Sequence, residues 1–344
     1  MKAGSEDGQA PRGELRTLKD VARVAGVSAA TVSRSLANSD LIPLATRERI
    51  QQIASEGGFS VNPAGRMLRT RQSHTVALVL PLGHETQQHL YDPFFMAMLA
   101  YLADNVSRRH YDLLLRRVEA TEKDWLKQIV EATRVDGLLV IGQSDQGEVL
   151  QRFGESYKPL VVWGQWQDGQ TYLTVGADNV VGGRLAAEHL VARGRKRLAF
   201  FGNIDVPEFE ARYAGFRDAL PNDIREQHIH VPIHLTSEDS YLAAVRFLQI
   251  NPSIDGVFAA SDVVAMSVIR AAVACGISVP DGLSVVGFDD VPLASQCNPP
   301  LTTIRQDLEQ GAALMCDLLF NRMRGDFGGQ SSRLEPTLVF RGSS

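Results

Sequence analysis

The sequence predicts a small all-α head followed by an α/β body built from two doubly wound parallel-sheet lobes. Before residue 60, apolar side chains recur at helical spacing, whereas from Thr75 short apolar runs alternate with amphipathic segments. Continuous apolar strands that alternate with helices indicate a parallel sheet covered on both faces. About fourteen such segments are too many for one small sheet. We therefore expect two lobes, with a ligand cleft at the carboxyl ends of their strands.

Apolar runs mark the predicted strands of the body, and amphipathic segments mark the helices between them. The strands are predicted at residues 76–80, 111–115, 137–141, 160–162, 198–201, 256–259 and 283–287. The helices are predicted at residues 94–109, 125–133, 182–193, 212–220, 240–249, 263–275 and 306–323. No sequence repeat of 20–50 residues accompanies the alternation, which argues against a solenoid.

The distribution of charge indicates contact with nucleic acid at one end only. The 344 residues have a net charge of −5, which by itself argues against a nucleic-acid partner. Residues 14–71, however, hold nine Lys/Arg and five Asp/Glu, whereas residues 72–344 hold 24 and 33. A basic head on an acidic body is the asymmetry expected when the head alone binds nucleic acid.

Cysteine and histidine usage favours a cytoplasmic protein without a metal or cofactor. Cys275, Cys297 and Cys316 are widely spaced and form no CxxC pair, as in reduced cytosolic proteins. The three histidines within residues 228–234 have no accompanying carboxylate or cysteine, so they favour a solvated edge strand. There is no apolar leader, and no run of roughly 18 apolar residues that could span a membrane.

Residues 17–36 have the pattern of a helix-turn-helix. Leu18, Val21, Ala22 and Ala25 share one helical face, and Gly26 is predicted to end that helix. Ser28 is predicted to cap the second helix, and a third runs from residue 45 to residue 56. In a helix-turn-helix the second helix enters the major groove of DNA. The alternative is that the three helices only pack against another part of the protein.

The outward side of the second helix supplies the candidate DNA contacts. Its small and polar side chains are Ser28, Ala29, Ala30, Ser33 and Arg34. Arg34 is the main candidate for reading a base, because a guanidinium pairs with both acceptors of guanine. The hydroxyls of Thr17, Ser28 and Ser33 can bond to phosphates.

The head resembles that of the LacI/GalR family of bacterial transcription regulators. The matching residues are Thr17, Asp20, Val21, Ala22, Ala25, Gly26, Val27, Ser28, Thr31, Val32, Ser33, Arg34, Asn38, Thr46, Arg47 and Asn62. The body continues the resemblance at residues 92–95, 136–138, 182–183, 186, 188–190, 212, 214–216, 261–262, 284–290, 300–303 and 306–307. The resemblance implies that the body has the periplasmic-binding-protein type of fold and binds a small effector.

The resemblance also implies the domain boundaries. Residues 1–14 are expected to be a disordered tail, residues 15–60 the DNA-binding head, and residues 61–74 a hinge that becomes helical on DNA. Residues 75–344 are expected to bind the effector and to dimerise. Within them, the first lobe is expected to comprise residues 75–175 and 304–327, and the second residues 176–303 and 328–344.

Family positions extend the candidate DNA contacts into the hinge. By resemblance, Ala29, Ala30 and Arg34 read bases, and Leu68 wedges the central base step in the minor groove. The full set of DNA-binding candidates is Thr17, Ser28, Ala29, Ala30, Thr31, Ser33, Arg34, Asn38, Asn62, Arg66, Leu68 and Arg69. The alternative for residues 61–74 is a plain flexible linker.

Effector contacts are likewise carried over by position. Arg212 and Asp289 are expected to hold effector hydroxyls through charge-assisted hydrogen bonds, although they could instead pair only with each other. The remaining candidates are Phe94, Phe95, Asp145, Glu208, Ser261 and Asp262. One of the two phenylalanines is expected to belong to the core, and Ser261 and Asp262 could simply cap a helix.

These features together predict a repressor of carbohydrate-utilisation genes that a sugar or glycoside releases from a palindromic operator. The expected assembly is a homodimer or a tetramer. The alternatives are a regulator that uses a sugar or purine as corepressor, and a transport component. An enzyme is not expected, because GxSxG, P-loop and GxGxxG motifs are absent at strand–helix turns.

Overall fold

The protein is described as a computed structural model that covers residues 15–59, 72–81, 90–118, 124–143, 145–233 and 236–344. The chain divides into two compact units, and the division falls between Gln72 and Ser73. The predicted tail at residues 1–14 lies outside the described residues. The same is true of the hinge candidates Asn62, Arg66, Leu68 and Arg69.

The head consists of α1 (Leu18–Ala25), α2 (Ala29–Leu36) and α3 (Leu44–Glu56). Their apolar faces meet in one buried cluster, formed by Leu15, Val21, Ala22, Ala25, Val32, Ile50 and Ala54. α1 ends at Gly26, whose φ of 66° lies in the left-handed region that glycine adopts without steric cost. The predicted helix-turn-helix is confirmed.

The first lobe of the body is a parallel sheet with helices on both faces. Its strands, numbered in chain order, are β1 (Thr75–Pro81), β2 (Asp112–Val118), β3 (Gly137–Ile141), β4 (Leu160–Trp163), β5 (Leu173–Ala177) and β11 (Ser332–Leu334). They pair in the order β11-β5-β4-β3-β1-β2. α4 (Pro93–Ser107) and α12 (Leu308–Met323) cover one face, and α5 (Trp125–Thr133) and α6 (Gly147–Ser156) cover the other.

The second lobe repeats this architecture. Its strands are β6 (Leu198–Phe201), β7 (Ile229–Val231), β8 (Gly256–Ala259), β9 (Ser284–Asp289), β10 (Thr302–Arg305) and β12 (Thr337–Val339). They pair in the order β12-β10-β9-β8-β6-β7, and β12 runs antiparallel to β10. Its helices are α7 (Asn179–Ala192), α8 (Pro207–Ala219), α9 (Asn222–Arg225), α10 (Ser237–Ile250) and α11 (Asp262–Ala274). The two predicted parallel-sheet lobes are thus confirmed.

Within the described residues the chain crosses between the lobes at three places: from β5 to α7, from β10 to α12 and from β11 to β12. The prediction that residues 328–344 all belong to the second lobe is wrong for β11, which pairs with β5 in the first. A strand of three residues has too few side chains to show periodicity, and its sheet is decided by distant partners.

Several short elements were not predicted. β5, β10, β11 and β12 contain three to five residues each, with Thr or Gly interrupting apolar runs in some of them. α6 contains Gly147 and Gly154, each of which disfavours a helix by about 1 kcal/mol relative to alanine. Gly154 is nevertheless buried, and a Cβ there would lie 2.8 Å from the Thr171 hydroxyl. Close packing therefore decides this helix.

Candidate functional site

The recognition surface of the head lies on α2. Arg34 and Ala30 are exposed on this helix, and no ion pair within the described residues engages Arg34. Ala29 is only half-buried because it also packs against the core of the head. An exposed guanidinium with one small exposed neighbour can approach base edges in the major groove.

The hydroxyls predicted to contact phosphates also cap helices. The Thr17 hydroxyl accepts from the Asp20 N–H over 3.2 Å, and the Thr17 N–H donates to the Asp20 carboxylate over 2.9 Å. This reciprocal pair is a capping box. The Ser28 hydroxyl accepts from the N–H of Thr31 over 3.1 Å, and the two hydroxyls lie 2.9 Å apart. Both residues therefore fix the orientation of α1 and α2.

Asn38 has a structural role that its family position does not indicate. It adopts a φ of 54°, in the left-handed region that asparagine tolerates better than most residues. Its side-chain oxygen accepts from the Gln51 amide over 2.7 Å, and its backbone oxygen accepts from Arg47 over 3.0 Å. These bonds fasten the end of α2 to α3.

The candidate effector residues of the body gather where parallel strands end. Glu208 and Arg212 lie on α8, which follows β6, and Ser261 and Asp262 directly follow β8. Asp289 is the last residue of β9. Since neighbouring parallel strands end at the same edge of a sheet, these side chains come from one edge of the second lobe.

Arg212 is buried and its donors are partly engaged. Its Nε–H donates to the Asn179 side-chain oxygen over 2.9 Å, and one terminal nitrogen donates to the Ala260 carbonyl. The guanidinium carbon lies 3.7 Å from the centroid of the Phe288 ring, a cation–π contact. Burial lowers the pKa of Arg212, while Asp289 and Glu208 act in the opposite direction. No ion pair joins Arg212 to Asp289 within the described residues, so the alternative of mere pairing does not apply.

Two glycines set the position of Arg212. A Cβ at Gly183 of α7 would lie 2.0 Å from the Arg212 carbonyl oxygen, and a Cβ at Gly215 of α8 would lie 2.0 Å from the Val180 carbonyl oxygen. The two helices therefore cross at a distance that only glycine permits. This crossing holds the first turns of α8 against the start of α7.

Asp289 lines a cavity of about 470 Å³ at the end of β9 and β10. The cavity also involves Gln306, whose side-chain amide donates to the Asp289 carboxylate over 2.7 Å. Asp289 has a φ of 122°, a strained conformation for a non-glycine residue. Burial raises its pKa to about 7, although the charge of Arg212 acts to lower it. A buried carboxylate held in a strained conformation beside a cation is typical of a binding site.

The structure corrects the prediction for Asp262. This side chain is fully buried, and its two oxygens accept from the Thr303 hydroxyl and from the Val291 N–H. A Cβ at Gly287 would lie 2.3 Å from one of these oxygens, so backbone packs closely around the carboxylate. Asp262 therefore supports the loop that follows Asp289 and does not present its carboxylate to a ligand.

Ser261 and the two phenylalanines have separate positions. Ser261 caps α11, with its hydroxyl 3.4 Å from the Val264 N–H, which matches the simpler of the two interpretations. Phe95 belongs to the apolar core of the first lobe, whereas Phe94 is only half-buried and contacts the apolar clusters of both lobes. The expectation that one of the two is a core residue thus applies to Phe95. Its ring packs with apolar side chains of the first sheet and of α12, and its contact with effector stays a prediction.

Glu208 and Asp145 differ in environment. Glu208 is 8% exposed; one carboxylate oxygen accepts from the Gln143 N–H over 3.2 Å, and the other has no hydrogen-bond partner among the described residues. Burial raises the pKa of Glu208. Asp145 is exposed and accepts from its neighbour Gln146 over 2.6 Å. Glu208 therefore retains an acceptor for a ligand hydroxyl.

Sequence reasoning missed a chain of amide side chains that joins the two lobes. The Asn179 amide donates to Gln165 over 2.8 Å, and the Gln165 N–H donates to the Gln143 side-chain oxygen over 2.8 Å. The Gln143 amide donates to the Tyr172 hydroxyl over 2.9 Å. Since Asn179 also accepts from Arg212, a continuous network runs from Arg212 to Tyr172. Gln143 and Gln165 follow strands, and Asn179 begins α7. Their positions at the carboxyl ends of strands could have indicated them from the sequence.

The structure offers no candidate metal centre within the described residues. No group of three or more His, Cys, Asp or Glu side chains converges there. His228 contacts the Tyr213 hydroxyl over 2.9 Å, and His230 contacts the Gly202 carbonyl over 2.8 Å. Likewise, none of the described helices is long and apolar enough to cross a membrane.

Comparison with known proteins agrees with the two units. Residues 17–62 match the lacI family of bacterial regulatory proteins, and residues 187–344 match the periplasmic binding protein-like domain. Together these matches define a class: transcription regulators in which a helix-turn-helix head is joined to a binding-protein-like body. The chain belongs to the LacI family of bacterial regulatory proteins.

Individual relatives match nearly the whole chain. It is 32% identical to the transcriptional regulator CelR of Thermobifida fusca over 319 residues, which are 90% of this chain and 92% of CelR. A CelR–cellobiose complex matches with a TM-score of 0.68 and 29% identity, over 95% of this chain and 99% of that one. The lac repressor dimer bound to operator and the anti-inducer ONPF matches with a TM-score of 0.81 and 25% identity, over 95% and 98%.

Proposed function

We propose that this chain is a repressor that binds a palindromic operator as a homodimer and is released by a sugar or glycoside. The observation that carries the proposal is that one chain combines an exposed Arg34 on the second helix of a helix-turn-helix with buried Arg212, Glu208 and Asp289 at one edge of the second sheet. Guanidinium and carboxylate groups fix the orientation of a polyol through charge-assisted hydrogen bonds. The sugar in the CelR complex and the operator in the lac repressor complex support both parts of the proposal.

The proposed mechanism couples the lobes to the head. A sugar that bonds to Arg212 and Glu208 competes with the network that joins the lobes through Gln143 and Asn179. A change in the relative position of the lobes then alters the hinge, and a ligand shifts this equilibrium only by its differential affinity for the two states. The protein acts by binding in the cytoplasm, without catalysis and without a cofactor.

The test is a paired measurement on the full-length protein. The melting temperature is first measured with cellobiose, ribose and other neutral sugars. Operator sequences are then selected from random duplex DNA. We expect one class of sugar to raise the melting temperature and to weaken operator binding at least tenfold. Arg212→Lys keeps the charge but loses the planar fork, so it should retain operator binding and lose the sugar response.

The outcomes separate the parts of the proposal. Arg34→Lys should reduce the preference for the selected operator over random duplex by about 1–3 kcal/mol. Tighter operator binding with sugar would reverse the sign and make the sugar a corepressor. Absence of stabilisation by every carbohydrate would contradict the sugar assignment, and turnover of any sugar would contradict a function by binding alone.

A further inference from the structure

Five cationic side chains lie along the edge of the first sheet at which its strands begin. Arg108 and Arg134 shortly precede β2 and β3, and Lys158 precedes β4. These strands start side by side, because Thr75 pairs with Asp112 and Leu138 pairs with Leu160. The other two cations, Arg322 and Arg324, lie at the end of α12, where Arg322 donates to the Lys158 carbonyl over 2.9 Å. We call Arg108, Arg134, Lys158, Arg322 and Arg324 the basic rim.

No acidic side chain among the described residues forms an ion pair with the basic rim. None of its five members has an Asp or Glu oxygen within ion-pair distance there. The Asp136 carboxylate accepts from the backbone N–H groups of Ser73 and His74, each over 2.8 Å, and Asp317 pairs with Arg109. Asp326 accepts from the Gly328 N–H over 3.0 Å, and Asp112 is exposed.

The charge of the basic rim contrasts with that of the body. Residues 72–344 carry 24 basic and 33 acidic side chains, so an unpaired cluster of cations at one edge does not follow from composition. Burial lowers the pKa of Arg322, whose Nε is buried without a hydrogen-bond partner among the described residues. Several cations along one edge without acidic partners create a positive potential that attracts anions.

The basic rim lies where the chain enters the body. Ser73 and His74, which begin the second compact unit, are bonded to Asp136 at the same edge. Only residues 60–71 separate the described parts of head and body, which is at most about 45 Å of extended chain. A surface tethered this closely to a DNA-bound head experiences a high local concentration of phosphates.

We propose that the basic rim is a second DNA-contacting surface, which binds backbone phosphates of the duplex that the head holds. The inference rests on the proposed function for the duplex itself, and it assigns part of the DNA contact to the ligand-binding body. Arginine suits phosphate because its planar fork donates two parallel hydrogen bonds. Such contacts add affinity without adding sequence preference.

The test compares two triple variants of the full-length protein. The rim variant is R108Q/R134Q/R324Q, and the matched control is R184Q/R246Q/R270Q, which removes the same charge from exposed arginines of the second lobe. Binding to a 40-base-pair random-sequence duplex is measured from about 50 to 300 mM salt. Each phosphate contact contributes about 0.9 to the slope of log K against log salt.

We expect the rim variant to lose up to about 2.7 from that slope per protomer and to bind about tenfold more weakly at 100 mM salt. The control should match the wild type. An unchanged slope in the rim variant would overturn the inference while leaving the proposed function intact, and a wild type that binds no duplex would overturn both. If the triple variant does not fold by circular dichroism, R108E alone serves, with the same slope measurement.

One further outcome assigns the surface to another partner. In this outcome, the rim variant binds duplex as tightly as the wild type does, but only the wild type binds polyglutamate. The basic rim would then fit an acidic protein, and the DNA inference would be wrong. If both probes bind equally well to wild type and variant, neither partner uses it. We expect the rim variant to bind random duplex about tenfold more weakly at 100 mM salt and to retain the wild-type preference for a selected operator.

Discussion

The backbone N–H of Gln143 donates to the Glu208 carboxylate over 3.2 Å and so joins the loop after β3 in the first lobe to the start of α8 in the second. The second oxygen of this buried carboxylate has no partner among the described residues. One hydrogen bond contributes little net free energy, and the unsatisfied oxygen is costly to bury, so a ligand that bonds to Glu208 can replace this contact.

Replacement of Glu208 by glutamine should separate stability from function. E208Q keeps the oxygen that accepts from Gln143 and removes a buried charge, so the ligand-free protein should gain about 1–2 kcal/mol of unfolding free energy at pH 8. The affinity for sugar should fall about tenfold, because a charged acceptor is lost. Urea titration and calorimetry measure the two effects. The control is E210Q, an exposed change on the same helix; a lower stability for E208Q alone would contradict the argument.

Asp289 should make the stability of the ligand-free protein depend on pH. Burial raises the pKa of this carboxyl from 3.8 to about 7, so the folded protein holds its proton over a range in which the unfolded chain has lost it. The resulting stabilisation is present below about pH 4 and is lost as pH rises towards 7, by on the order of 2–4 kcal/mol. Asp289→Asn should remove this dependence in denaturant titrations, and the exposed change D281N should not.

Ionisation of Asp289 should also affect sugar binding, but it should strengthen binding where it weakens the stability of the ligand-free protein. A sugar hydroxyl donates to the ionised Asp289 carboxylate, so affinity should rise as pH increases through about 7. Calorimetry at pH 5.5, 7 and 8.5 measures the trend. If the affinity does not depend on pH in the wild type, Asp289 does not accept from the ligand.

The crossing of α7 and α8 should be intolerant of a single methyl group. Gly183→Ala places a Cβ 2.0 Å from the Arg212 carbonyl, so the helices must move apart and Arg212 must shift with them. We expect the free energy of unfolding to fall by about 2–4 kcal/mol, which is at the upper end for overpacked cores. We also expect the sugar response to be lost. Gly147→Ala is the control, since nothing lies within 4 Å of its Cβ. Equal melting temperatures for both variants would show that the crossing can relax.

The capping box of α1 should affect the head alone. Thr17→Ala removes the acceptor for the Asp20 N–H and should cost about 1 kcal/mol of helix stability, whereas Thr17→Ser retains it. The hydrogen bonds from Thr17 also lower the pKa of Asp20. That contribution is present above the unfolded pKa of about 4 and is lost as pH falls below it. Hydrogen exchange of α1 amides measures the effect, and a change confined to the body would contradict it.

Much of the head and of the general architecture could be predicted from the sequence, because the signals are local. Gly26 needs a left-handed φ, Ser28 caps the next helix, and apolar spacing places Val21, Val32 and Ile50 in one core. The alternation of strands and helices likewise depends on neighbouring residues. The same locality explains why α6 and the short strands β5 and β10–β12 were missed, since only distant partners stabilise them.

The candidate site was partly predicted and partly decided by tertiary packing. The sequence determined by itself that a helix-turn-helix with Arg34 precedes an α/β body in which Asp289 lies at the carboxyl end of a strand and Arg212 on a helix that follows one. Only the tertiary structure decided that Asp262 is a fully buried support, that Phe95 belongs to the core, and that Gln143 and Asn179 connect the lobes. The physical reason is that burial and hydrogen bonding of a side chain depend on residues far away along the chain, which no local pattern records.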